Sequence, residues 1–140
     1  MIVLDTTVLV YSVGVEHPLR APGRRMIEAA AEGRLRLTTT PEVIQEFAHV
    51  RARRRPRENA ATLARRMIDL FSPLVVVDAD VLRRGLGIYE HQDELESFDA
   101  VLAAVALEHG AEALVSADEA FAKVPRLPYV PLADIDRLFA

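Results

Sequence analysis

Between residues 97 and 110 the chain reads SFDAVLAAVALEHG. The spacing predicts a helix that is apolar almost all round, with Gly110 as its stop. Such a helix must be buried, and its alanines suit close packing against a sheet. Strands for that sheet can be read on both sides. IVL at 2–4 is a short continuous apolar run, RLRLTTT at 34–40 alternates, and LVVV at 74–77 reads as a buried β-branched strand. ALVSAD at 113–118 supplies a fourth strand and its loop. LPYVPL at 127–132 is a fifth, whose flanking prolines place it at an edge.

Helical segments alternate with these strands. VLVYSV follows the first one, and a helix carrying Met26, Ile27, Ala30 and Ala31 comes after the VEHPLRAP turn region. Pro41 suits the first position of PEVIQEFAHVRARR. Pro56 marks a break before ENAATLARRMIDLF, and DADVLRRGLGIYEHQ leads into the acidic turn DELES. Alternation of this kind predicts an α/β fold whose central sheet is mostly parallel. No repeat, linker or low-complexity stretch interrupts it, so a single domain over 1–140 is expected.

With 140 residues, 51% hydrophobic and 27% charged, the chain can bury a sizeable core. It has no cysteine, which excludes disulfides and thiolate zinc sites. Met1 leads straight into the first strand, with no basic or cleavable apolar leader and no run near the length of a bilayer span. A soluble, unprocessed, cytoplasmic chain is the expectation. The net charge of −4 opposes bulk attraction to nucleic acid. Lys123 is the only lysine, and arginine carries the remaining positive charge.

Four acids stand where structure alone does not ask for them. Asp5 ends the first strand and Asp118 lies just past ALVS. If both strands are parallel and central, the two carboxylates emerge at the same sheet edge, where α/β ligand sites gather. Each could equally be a helix N-cap. Glu46 lies between Val43 and Val50 on the border of its helix's apolar stripe, where it could also simply reach water. Asp99 sits in the first turn of the buried helix, with Ser97 read as the cap. Asp93, Glu94 and Glu96 nearby add acid and no cation. Converging carboxylates need cations, and hard oxygen ligands suit Mg²⁺ or Mn²⁺. His17, His49, His91 and His109 show no ligand spacing and read as surface residues. No GxSxG elbow or glycine-rich phosphate loop is present. A receiver-like phospho-acceptor would want an acidic pair at the first strand, and only Asp5 stands there.

The pattern resembles a PIN domain, and specifically the VapC toxins of toxin–antitoxin modules. VLDTTVLVY, EVIQEFAHV, SFDAVLAAVA and LVSADEAFAKVP resemble the four family motifs in order, with Ser116 two residues before Asp118. The likeness covers essentially the whole chain. One departure is Thr7, where the family often has asparagine; its hydroxyl can still orient a carboxylate, with different reach. The resemblance implies a three-layer α/β/α fold with about four to five strands and a Mg²⁺-dependent endoribonuclease. Asp5, Glu46, Asp99 and Asp118 would hold metal, with Asp5 and Asp99 as the direct ligands and Thr6, Thr7 and Ser116 in support. It also implies a homodimer and a small antitoxin that inserts a basic residue into the acidic pocket. RARRRPR (Arg51, Arg53, Arg54, Arg55, Arg57) becomes a candidate RNA contact, or equally a solvated helix end. A catalytically silent RNA- or protein-binding domain of the same architecture is the alternative.

Overall fold

The computed structural model describes residues 1–140. Its sheet is built from β1 (Ile2–Leu4), β2 (Leu37–Thr38), β3 (Ala113–Ser116) and β4 (Tyr129–Pro131). The strands run in the order β2-β1-β3-β4, and every neighbouring pair is parallel. β1 and β3 are therefore central, in register from Ile2 opposite Ala113 to Leu4 opposite Val115. Their carboxyl ends share one edge, as the positions of Asp5 and Asp118 require.

The helices are α1 (Thr6–Val13), α2 (Arg20–Ala31), α3 (Pro41–Arg51), α4 (Arg57–Phe71), α5 (Ala79–His91) and α6 (Ser97–Glu108). Two 3-10 segments, Glu119–Lys123 and Leu132–Phe139, complete the chain. Helices α1 to α4 pack among themselves, and α5 packs on α6, giving the expected three layers around the sheet. α6 is buried at Ala100 and from Leu102 to Ala106, and Gly110, just past its C-cap His109, takes φ 59°. The α5–α6 contact is close because Gly85 has no side chain. A Cβ there would lie 2.7 Å from the Val101 backbone, so glycine is required. Leu4, Leu9, Phe47, Phe71, Leu114 and Phe121 are among the side chains that fill one continuous core. No helix is long and apolar enough to cross a membrane.

Two expectations are corrected. LVVV at 74–77 is not a strand: Val76 is 71% exposed, and the segment's one main-chain bond to the sheet runs from Val75 N–H to the Thr39 carbonyl. It lies between the end of α4 and Asp78, which caps α5 by accepting from Val81 N–H, so there is no length left for pairing. The sheet accordingly has four strands. Ser97 is not the cap of α6 either; Glu96 holds that position without a side-chain capping bond, and Ser97 is the first helical residue. RLRLTTT pairs over Leu37 and Thr38 alone, because its threonines bond elsewhere. Thr38 Oγ1 donates to the Pro73 carbonyl, Thr39 Oγ1 donates to the Leu4 carbonyl, and Thr40 Oγ1 accepts from Val43 N–H to cap α3.

Candidate active site

Asp5 continues the pairing of β1, its N–H donating to the Val115 carbonyl, and then starts α1. It occupies the N-cap position, yet its carboxylate makes no capping hydrogen bond. The side chain turns across the sheet edge instead. Ser116 Oγ donates to Asp5 Oδ2 at 2.6 Å, and Thr7 Oγ1 donates to the same oxygen at 2.9 Å. Each hydroxyl also accepts a main-chain N–H, Thr7 from Ala117 at 3.0 Å and Ser116 from Asp118 at 2.9 Å. Those amides orient both hydroxyl protons toward Asp5. Both hydroxyl bonds land on Oδ2. Asp5 is 4% exposed, and burial raises its pKa against the lowering effect of the two hydroxyls and the nearby Thr6 and Thr7 amides.

Thr6, next in the chain, reaches the other way and donates to Glu46 Oε2 at 3.0 Å. Glu46 is exposed on α3, beside the buried Val43 and Phe47. Asp118 caps the 3-10 segment Glu119–Lys123 by accepting from Ala120 N–H at 2.9 Å. The cap reading was therefore right for Asp118, and its carboxylate still borders the site. Asp99, half-buried in the first turn of α6, accepts no hydrogen bond from the chain. Its pKa is pushed up to about 7, first by burial and then by the charges of Asp5, Asp118, Glu46 and Glu96.

The four predicted acids line one cavity of about 400 Å³, together with Thr6, Thr7, Glu94 and Glu96. No lysine, arginine or histidine lines it; Lys123 pairs with Glu94 at its margin. The four histidines are exposed and none contributes to it. As the side chains stand, no three acidic groups are close enough to share one ion. This fits a cation that takes one or two carboxylates directly and keeps its waters for the rest, as Mg²⁺ does. The donor set is all oxygen, and the burial and neighbouring carboxylate charges that push Asp99 up to about 7 are what a bound divalent ion would offset.

The arginine stretch divides. Arg51 is turned inward, with Nε donating to Asn59 Oδ1 and Nη1 to the Val13 carbonyl, both at 2.9 Å. It ties α1, α3 and α4 together. Arg53, Arg54, Arg55 and Arg57 are exposed, and none of the five pairs with a carboxylate. Sequence reasoning did not single out Tyr11 or Val50, which also line the acidic cavity. The signal was available: Tyr11 follows Asp5 on the same short helix, and Val50 lies one turn past Glu46.

A family model described as the PIN domain matches residues 2–127. Ribonuclease VapC7 of Mycobacterium tuberculosis is 53% identical over 134 residues, spanning 93% of this chain and 90% of the relative. Ribonuclease VapC13 of the same organism is 31% identical over 128 residues, with 89% and 95% covered. Among solved structures, VapBC2 from Rickettsia felis, bound to a DNA fragment from its promoter, aligns with TM-score 0.71 at 14% identity, covering 94% of this chain and 98% of that one. FitAcB from Neisseria gonorrhoeae aligns with TM-score 0.71 at 15% identity and the same coverage. At those identities the likeness speaks for the fold.

Proposed function

This chain belongs to the PIN-domain family and, within it, to the VapC ribonucleases; from that premise we propose that its acidic cavity is a Mg²⁺- or Mn²⁺-dependent centre for hydrolysis of RNA. The chain is a ribonuclease of the toxin class, acting as an endonuclease, in a single domain over 1–140. The observation that carries the metal reading is the meeting of Asp5, Glu46, Asp99 and Asp118 in one cavity with no cationic side chain. Asp5 and Asp99 would be the direct ligands.

Bound there, a divalent ion supplies positive charge that polarises a phosphodiester oxygen and makes water acidic enough to attack near neutral pH. The chain's own residues do the positioning. Thr7 and Ser116 fix the Asp5 carboxylate in one orientation, so little is lost in ordering it when the site fills. Thr6 steadies Glu46 by one oxygen, and Glu46 and Asp118, which both line the cavity, would orient the attacking water. Without a cation, the same carboxylates repel a phosphate backbone.

A small cytoplasmic antitoxin would block the site by inserting an arginine or lysine among these carboxylates, satisfying their charge and excluding metal together. Homodimerisation through α5 is part of the same reading. Leu82, Leu86 and Tyr89 are exposed along that helix, and Phe98 is 70% exposed beside Asp99.

The test is cleavage of RNA by the purified chain with Mg²⁺, with Mn²⁺ and with excess EDTA. Cleavage that needs the ion and stops with chelator is expected. Full activity in EDTA, from protein free of contaminating nuclease, would overturn the metal mechanism.

A further inference from the structure

A groove of about 410 Å³ runs between α1 and α3, floored by apolar residues such as Val13 and Phe47. It meets the acidic cavity directly, because Val10, Tyr11 and Val50 line both. Partway along, the Tyr11 ring and the His17 imidazole stand 4.6 Å apart and inclined by 31°. His17 is held there by its Nδ1, which accepts from Leu19 N–H at 3.1 Å. At the far end lie Arg53 and Arg54, both exposed. Arg53 reaches only His49 Nε2, at 3.4 Å, and Arg54 makes no side-chain bond. Arg51 also lines the groove, but its guanidinium is committed to Asn59 and Val13. Arg55 folds back on the Arg54 carbonyl at 3.3 Å, and neither it nor Arg57 lines the groove.

The opposite flank of the acids differs. There a cavity of about 290 Å³ is lined by Leu82, Leu86 and Phe98 with Glu42, and by no cation. Of these two flanks, only the α1–α3 groove offers a polyanion positive charge.

Resting on the ribonuclease reading, we propose that the α1–α3 groove is a substrate subsite that holds single-stranded RNA on one side of the scissile phosphate. Arg53 and Arg54 take its phosphates, and the Tyr11–His17 pair gives a base a face to stack on. Two arginines of the five in RARRRPR thus belong to the substrate, one belongs to the fold, and two are solvated.

The experiment uses the full chain and a short labelled single-stranded oligoribonucleotide. Mg²⁺-supported cleavage is followed across a salt series, with anisotropy binding of the same probe read in parallel. Each phosphate contact contributes about 0.7 to the slope of log affinity against log salt for single strands. Arg53→Gln with Arg54→Gln should raise KM and lower that slope by roughly 1.4, with kcat little changed. Arg55→Gln with Arg57→Gln should leave the slope as in wild type. Tyr11→Leu should weaken binding about fivefold or more, and Tyr11→Phe should retain it. An unchanged slope in the Arg53/Arg54 variant, or an equal loss in the Arg55/Arg57 variant, overturns the subsite and leaves the groove as a protein-docking face. A wild-type chain that binds the probe without cutting it would overturn the ribonuclease reading instead, while the slopes still decide the subsite.

Discussion

Asp5 and Asp99 meet in one cavity, yet the chain treats them in opposite ways. Asp5 leaves a central strand, and two hydroxyls held by main-chain amides fix one of its oxygens. Asp99 stands on the first turn of α6 with no hydrogen bond, facing three other carboxylates of the set. One acid is positioned before any ion arrives, while the other is left in an unfavourable field that an ion would relieve. A site needs the first kind for geometry. It gains affinity from the second, because relief of repulsion adds to the attraction of the cation.

The largest effects should be shared by both acids. Asp5→Asn and Asp99→Asn are each expected to lower cleavage by more than the roughly 10- to 100-fold that loss of an outer partner costs. Each should also remove most of the Mg²⁺-induced rise in melting temperature. Normal cleavage by either variant would remove that acid from the site, and for Asp5 would leave it the role of an unbonded N-cap.

Intermediate effects should separate them. Thr7→Val and Ser116→Ala release Asp5 from its fixed orientation, and each should weaken Mg²⁺ binding by about 10- to 100-fold, measured by calorimetry. Thr7→Ser keeps the hydroxyl and should keep most of the affinity. Asp99 has no such partner to lose, so Ser97→Ala beside it should change binding little. Equal losses at Thr7 and Ser97 would break the comparison.

The smallest effect concerns the metal-free protein. Asp99 is raised from 3.8 to about 7, so between those values the folded chain holds a proton that the unfolded chain has largely released. Its contribution to stability is full below about pH 4 and is lost as pH rises through 7, opposite to an ordinary ion-paired carboxylate. In EDTA, the melting temperature of Asp99→Asn should therefore exceed that of wild type by a few degrees at pH 8, with the gap closing toward pH 4. Asp5→Asn should show a gap of the same sign, because burial raises the Asp5 pKa as well. A pH-independent difference for Asp99→Asn would show that neither burial nor the neighbouring acids raise its pKa.

The convergence of the four acids on one cavity was legible because each is tied to a strong local pattern. Asp5 and Asp118 follow apolar strands, Asp99 opens a helix without a polar face, and Glu46 borders an apolar stripe. Their partners were harder to see. Thr7 and Ser116 are 109 residues apart, and only the parallel pairing of β1 with β3 brings their hydroxyls to one carboxylate oxygen. Asp118 both caps the 3-10 segment and lines the acidic cavity, so the two positions are compatible. LVVV misled because β-branched residues in a short run look alike whether or not a neighbour is free to pair. What decided its fate was the Asp78 cap immediately after it, together with Thr38 and Thr39, which bind the segment by side chain and carbonyl.

That misread segment also guards the sheet against other chains. At one margin, β2 is two residues long, and residues 73–75 lie along it, held by Thr38 Oγ1 and the Thr39 carbonyl. At the other, β4 ends in Pro131, which has no N–H to offer, and Arg137 Nη2 donates to the Tyr129 carbonyl at 3.4 Å. Neither margin presents a free ladder of donors and acceptors, so recruitment of a foreign strand and edge-to-edge aggregation are both disfavoured. Any partner of this protein must seat itself on helices and grooves, and the sheet serves only to aim what those surfaces surround.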